Sequence, residues 1–428
     1  MTPSRGTPAP TRTNLPMLLL LLSLSHPFAT GFTPPPNIQG PAIPTALPST
    51  SSFSASDLLY QDQQNALLRR ALHEQTLLTS QTPTIPPLTS AKVKGVTTSG
   101  TGFASSSSSS PSKTKGKNSS ASRLAASQAR IVQKDGVIRI DSALSDGACE
   151  ALRRYVLEQQ RLAEEAVNEY LHEGKDVEGL CRIYYGVENR RVGRCDLQLS
   201  LLRGGFVRDW KDSSPTSPLS SVEDMEDFPL MDALVELLGE KGTLRHLYEQ
   251  LVTPQGEFYE LAAVITDPGS RRQTIHPDLP WKPIAPLYVI FVALQDVTVE
   301  MGPTCFLLGT HTEEVNELFN CGDVAQKDEV IKNANGRLST LKRGDCVLFD
   351  ARTLHCGNAN ESTETRALFN FSFRNPRVTG DLGYKGSMRP GYEKAMTLKD
   401  VHEALNAYEG GDGEPFARYG NGMRKRGF

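Results

Sequence analysis

Three side chains in the C-terminal half of this sequence have the types and spacing of a metal site. His276-Pro277-Asp278 places an imidazole and a carboxylate two residues apart. In extended backbone, residues i and i+2 project to the same side, so both can reach one ion and form half of a mixed nitrogen–oxygen site. Further on, Gly344-Asp345-Cys346-Val347-Leu348-Phe349-Asp350 reads as a turn followed by a strand, and it delivers Ala351-Arg352-Thr353-Leu354-His355. A histidine there supplies a third ligand from a neighbouring strand. Two histidines and one carboxylate on one face of an octahedral ion make a facial triad. It leaves three positions open, as O2 and a bidentate 2-oxo acid require.

Eleven residues after His355, Arg366 opens the apolar run Arg366-Ala367-Leu368-Phe369-Asn370-Phe371-Ser372-Phe373. A permanently charged, planar guanidinium on a rigid strand suits the distal carboxylate of 2-oxoglutarate, gripped through two parallel hydrogen bonds. One other triplet competes for the metal. His311-Thr312-Glu313 has the same His-x-carboxylate spacing, but it stands where a strand ends and a helix over Glu313–Phe319 begins. Thr312 suits that helix as its cap, and Glu313 complements its dipole without any metal.

These residues need a scaffold, and order is expected from about Arg130. Ile131-Val132 and Val137–Ile140 look like strand pieces, and Ser145 opens a helix with Leu152, Val156, Ala163, Ala166, Val167 and Tyr170 on its apolar face. Two shorter helices are expected at 229–238 and 244–252, separated by Gly239 and Gly242. From about 258 the texture changes to short β-branched or aromatic runs: Leu261–Thr266, Pro286–Leu294, Cys305–Leu308, Cys346–Phe349 and Arg366–Arg374. Helices followed by a block of strands predict a mainly β, α+β architecture: a double-sheet jelly roll braced by helices.

The first 125 residues read as an address and a linker. Arg5 and Arg12 precede the apolar run Met17–Leu22, too short to span a bilayer as a mature helix, and Ala29 and Gly31 offer small residues for cleavage after Gly31. This arrangement, exposing Phe32, resembles the two-part presequence of algae whose plastid is reached through the secretory pathway. Residues 32–125 carry three acids against eight lysines and arginines, with the serine run Ser105–Ser110, as in a transit peptide or a disordered linker. The expected division is therefore a signal peptide at 1–31, a Ser/Pro-rich linker at 32–125 and one folded domain at 126–428. The alternative destination is the ER lumen or the outside of the cell.

A net charge of −3 gives no reason to expect nucleic acid or an anionic membrane as partner, and no stable membrane span is expected after signal removal. The expected partner is a small-molecule substrate. Seven scattered cysteines, odd in number and without a C-x-x-C pair, argue against a disulfide framework and against a thiolate metal site; buried free thiols are expected. Arg190, Arg191, Arg194, Arg203 and Arg208 cluster ahead of the strand block. Solvated surface charge is the simpler reading, and an anionic substrate such as an acyl-CoA the other.

His276-Pro277-Asp278, Gly302-Pro303, Gly309-Thr310-His311, Gly344-Asp345, His355 and Arg366 together resemble the phytanoyl-CoA dioxygenase family. The similarity covers about residues 130–428, with its core at 260–375. It implies a double-stranded β-helix, the cupin-like form of jelly roll, and a dioxygenase that uses Fe(II), 2-oxoglutarate and O2, hydroxylating its substrate with release of succinate and CO2. It assigns the metal to His276, Asp278 and His355 and the co-substrate to Arg366, with Phe291 beside it. Pro277 stands where the family often has glutamine, on the side away from the metal. The competing reading is a jelly roll that has lost turnover and serves as a binding module. An Fe(II) halogenase would need the position that Asp278 fills.

Overall fold

The computed structural model describes residues 66, 69–78, 85–90, 115–172, 187–191, 193–203, 228–389 and 391–420. The expected signal peptide, the serine run and Arg208 lie outside them. Among the described residues ten strands, β1 (Val137–Ile140), β2 (Val187–Arg191), β3 (Arg194–Gln198), β4 (Glu257–Thr266), β5 (Leu287–Ala293), β6 (Thr304–Leu308), β7 (Asn335–Leu338), β8 (Cys346–Asp350), β9 (His355–Gly357) and β10 (Arg366–Arg374), form two antiparallel sheets. The larger runs β1-β8-β5-β10-β4-β3-β2 and the smaller β7-β6-β9. This is the expected jelly roll.

Alternation along the strands sorts side chains into three apolar layers. Leu261, Ala263, Ile265, Ile290, Val292, Leu348, Phe369, Phe371 and Phe373 point away from the small sheet. They are covered by helices α2 (Lys115–Asp135), α3 (Asp146–His172), α4 (Pro229–Leu238), α5 (Arg245–Val252) and α8 (Leu398–Glu409). Val289, Val347, Phe349 and Leu368 face inward, where Phe306 of the small sheet meets them. The outer face of the small sheet, Cys305, Leu307, Leu354 and Cys356, is covered by α6 (Glu313–Cys321), α7 (Val324–Asn333) and a helix at residues 69–78, here α1.

Local chemistry explains the helix ends. Proline at the start of α4 needs no hydrogen-bond partner for its nitrogen, and Gly239 ends the helix by donating to Val235. Asp323 with Gln326, and Thr397 with Asp400, form reciprocal capping boxes for α7 and α8. Thr312 stands at the cap position of α6, as expected, but its hydroxyl makes no capping bond.

The fold departs from expectation in three places. Ile131 and Val132 belong to α2, whose Ala125, Ala129 and Val132 bury one helical stripe against the large sheet. The expected boundary at 125/126 therefore falls inside a helix. Two stretches of the expected linker also pack on the domain: Leu78 of α1 is buried against the small sheet, and residues 85–90 lie along β7, with Leu88 N and Leu338 N bonding across. Finally, α7, α8, β7 and the strand pair β2–β3 had no counterpart in the predicted elements. Five thiols, at 149, 195, 305, 346 and 356, are buried and outside any disulfide, as expected. Among the described residues no helix is long and apolar enough to cross a membrane.

Candidate metal and co-substrate site

His276 precedes β5 on a loop that bonds to β9 through a single antiparallel bridge with His355. Asp278 follows two residues on. The three side chains converge, each offering one ligand atom, with all three atoms within 4.8 Å of one another. Asp278 Oδ1 lies 3.5 Å from His355 Nε2 and 3.9 Å from His276 Nε2. His355 is the deep member, 6% exposed at its side chain, with its ring against Phe306 and Phe349; His276 and Asp278 keep 37% and 31%.

Both rings are oriented the same way. Nδ1 of His276 lies 2.7 Å from Thr274 O, and Nδ1 of His355 lies 2.9 Å from Thr353 O. A carbonyl only accepts, so each Nδ1 carries the proton and each Nε2 presents a lone pair to the common centre. Burial pushes His355 down to about 4, keeping it neutral and ligand-ready at neutral pH. Desolvation holds the Asp278 carboxyl up at about 6, with His276 acting against that; a cation at the centre would favour the carboxylate. The donor set fits a divalent ion of the iron type: two neutral imidazoles and one carboxylate, with no thiolate.

Arg366 begins β10, points into the space between the sheets and is 1% exposed. One terminal nitrogen donates to Thr266 Oγ1 at 3.0 Å and the other to Gly302 O, while its Nε has no partner. No carboxylate of the described residues pairs with it. Burial, with Arg194 nearby, lowers its pKa to about 9. A buried guanidinium without an anion is costly, and a ligand carboxylate would relieve it. Gly302 is built for this contact: its φ is +70°, and a β-carbon there would stand 2.3 Å from Ala359 O.

Phe291 lies on β5 opposite Asn370, on the same inner face as Arg366, with its ring against Phe349. The competing triplet lies elsewhere: His311 Nε2 donates to Gln133 O of α2. Asp345 of the Gly-Asp turn is occupied by Lys342 N, Ser142 N and Arg139.

The sequence profile of the phytanoyl-CoA dioxygenase family (PhyH) matches residues 132–368, more than half of the chain. The chain belongs to the phytanoyl-CoA dioxygenase family. It is an Fe(II)- and 2-oxoglutarate-dependent oxygenase, with O2 as oxidant. Among solved structures this PhyH-family chain is similar to the non-heme alpha-ketoglutarate-dependent carbocyclase SnoK from nogalamycin biosynthesis (19% identity, 60% of this chain and 85% of that one, TM-score 0.37). It is also similar to the epimerase SnoN of the same biosynthesis (16%, 63% and 96%, TM-score 0.36), including SnoN in complex with Fe3+, alpha ketoglutarate and nogalamycin RO (16%, 63% and 96%, TM-score 0.37). No curated protein matches the sequence.

Four residues around the PhyH-family site have contacts that the sequence alone did not assign to them. Thr266, the register partner of Arg366, was visible as the polar end of an apolar strand. Arg194 is not solvated surface charge: it is 8% exposed and its guanidinium donates to the carbonyls of Arg271 and Asn358. Arg203 sits over the Phe228 ring instead. Thr310, inside the Gly-Thr-His motif, accepts from Leu354 N. Glu260, on the inner face of β4, is held up at about 7 by burial, with the field of Asp278 adding to it; its carboxylate accepts from the Tyr384 hydroxyl at 2.5 Å.

Proposed function

We propose that this oxygenase hydroxylates a small molecule, with His276, Asp278 and His355 holding Fe(II) and Arg366 anchoring 2-oxoglutarate. The observation that carries this is the convergence of three ligand atoms within 4.8 Å on the same side of the sheet as a buried arginine that has no carboxylate partner among the described residues. Bound Fe(II) and 2-oxoglutarate supply the activation of O2, with 2-oxoglutarate leaving as succinate and CO2.

The chain's own residues do the rest. The two backbone-anchored imidazoles and Asp278 would hold the ion from one side. Arg366, steadied by Thr266 and Gly302, takes the distal carboxylate as a two-pronged clamp. Phe291 packs beside the co-substrate, and Val289, Val347, Phe349, Phe306 and Leu368 keep water out of the space between the sheets. A lipid or acyl compound is the substrate class the family suggests. Delivery to a plastid through the secretory pathway, read from residues 1–125, belongs to the same proposal, and a reporter fused behind those residues tests it.

The functional test is succinate formation from 2-oxoglutarate with Fe(II), first alone and then with a metabolite extract. Succinate that rises with extract, alongside one product heavier by a single oxygen, supports hydroxylation. Metal binding with no succinate under either condition would mark the jelly roll as a binding module instead.

A further inference from the structure

The two ligand histidines are held by one device built from different parts of the chain. His355 donates Nδ1–H to Thr353 O, and the N–H of that same Thr353–Leu354 peptide donates to the Thr310 hydroxyl at 2.9 Å. His276 donates Nδ1–H to Thr274 O, and the N–H of the Thr274–Ile275 peptide donates to Glu74 Oε2 at 2.8 Å. Glu74 belongs to α1, 201 residues upstream of Ile275, and is 1% exposed. Its other carboxylate oxygen takes Nε of Arg70 at 2.7 Å.

We propose that Glu74 is a positioning residue for His276, a carboxylate that acts through a single peptide group to fix the ring and strengthen Nε2 as a donor to the metal. The inference rests on the reading that His276 binds iron. Metal-ligating histidines commonly donate their second N–H to a carboxylate directly, which fixes the tautomer and raises ligand basicity. Here a peptide stands between the two. An anion accepting from the amide N–H draws electron density toward the amide oxygen, and hydrogen bonds in series polarise one another. Thr274 O thereby becomes a stronger acceptor for Nδ1–H.

The mechanical link is also present. Arg272 donates to Ala71 O at 2.7 Å, to Asn358 Oδ1 at 3.3 Å and to Cys356 Sγ at 3.2 Å. It ties α1 to both ligand-bearing segments. Leu78, one helical turn from Glu74, anchors α1 in the apolar layer outside the small sheet. Thus α1 carries an apolar anchor and a separate polar contact, and substitution can separate the two.

The test uses the full chain without oxygen and Co(II) as a spectroscopic stand-in for Fe(II), reading affinity, the visible ligand-field bands and the melting temperature. Glu74→Ala should weaken Co(II) binding about tenfold and shift the bands, the size expected for loss of such a partner. Glu74→Gln keeps an acceptor without the charge and should fall between Glu74→Ala and wild type. Leu78→Ala should melt lower while binding Co(II) as wild type does. Glu74→Ala with a lower melting temperature but unchanged affinity and bands overturns the proposal. So does Leu78→Ala losing affinity to the same degree. If Glu74→Ala does not fold, Glu74→Gln decides, and a titration and spectrum identical to wild type sink the idea. His276→Ala runs in parallel: if it binds Co(II) like wild type, the ligand assignment has failed rather than the role of Glu74.

Discussion

His276 and His355 face each other across one antiparallel bridge and exchange both main-chain hydrogen bonds, at 3.0 and 2.9 Å. Directly opposed residues project to the same face. The backbone itself therefore brings the two imidazoles together, their ring centroids 4.8 Å apart, before any metal arrives. The bridge survives truncation of either side chain, so loss of a ligand should not cost the fold.

His276→Ala and Asp278→Ala should each abolish succinate formation and tight Fe(II) binding at unchanged circular dichroism. His311→Ala should leave iron binding in place, because its ring serves α2, with stability falling by about 1 kcal/mol for the lost bond to Gln133. Iron lost from the 311 variant and kept by the 276 and 278 variants would show the triad to be misplaced. Asp278→Gly sharpens the geometry. It opens one coordination position with both histidines intact, so chloride should partly restore iron binding without restoring hydroxylation.

Arg366→Ala should raise the 2-oxoglutarate requirement strongly while Fe(II) binding stays near normal. Loss of a charge-assisted two-pronged contact costs roughly 2–4 kcal/mol. Thr266→Val removes only the hydroxyl that steadies one prong and should cost about 1 kcal/mol. Titration of 2-oxoglutarate against succinate formation measures both. An unchanged requirement in the Arg366 variant would remove it from the co-substrate site.

Glu260 gives a pH signature in the metal-free protein. Its folded value, about 7, stands above the ordinary 4.5, so the native state holds this proton more tightly than the unfolded chain does. The stability from the protonated carboxyl is complete below about pH 4.5 and is lost as pH rises through about 7. Glu260→Gln should therefore melt progressively higher than wild type between pH 5 and pH 8, by on the order of 3 kcal/mol at the alkaline end. A gap that does not change with pH would mean Glu260 titrates as an ordinary surface carboxylate.

A protein beginning at residue 126 should be less stable than one beginning at residue 60. It lacks α1, the 85–90 segment and half of α2, and so exposes the faces that Leu78, Leu88 and Ala125 cover. Each large apolar side chain is worth about 2 kcal/mol. Urea melts of the two proteins, with limited proteolysis of the full chain, decide this. Cleavage that stops near residue 65 supports it; cleavage that proceeds freely to 125 does not.

The three candidate ligands that the structure brings together were legible in the sequence because their evidence is local: an i, i+2 pair, then a turn and a strand ending in histidine. The same holds for Arg366 and for the jelly roll, whose strands alternate under the turns that separate them. Thr266, Arg194 and Glu74 were hidden because each matters through a partner tens to hundreds of residues away. The α1 helix was missed for another reason. Leu-Leu-Arg-Arg-Ala-Leu-His-Glu-Gln-Thr-Leu-Leu is a good helical stretch, but its signal was averaged into a serine- and proline-rich segment eight times its length. Ile131-Val132 misled in the opposite direction. Two β-branched residues read as strand, while the stripe they complete with Ala125 and Ala129 is helical.

The uneven depth of the three proposed ligands bears on how the protein would acquire the right ion. An arriving cation would meet the accessible Asp278–His276 edge first and His355 last, and would depart in the reverse order. Nothing about that edge discriminates by affinity, since nitrogen and oxygen donors hold later first-row metals at least as well as iron. An open edge makes a wrong choice reversible. Occupancy then follows whichever divalent ion the surroundings supply, and mis-metallation becomes a matter of cellular metal pools and exchange rate rather than of a permanent error at folding.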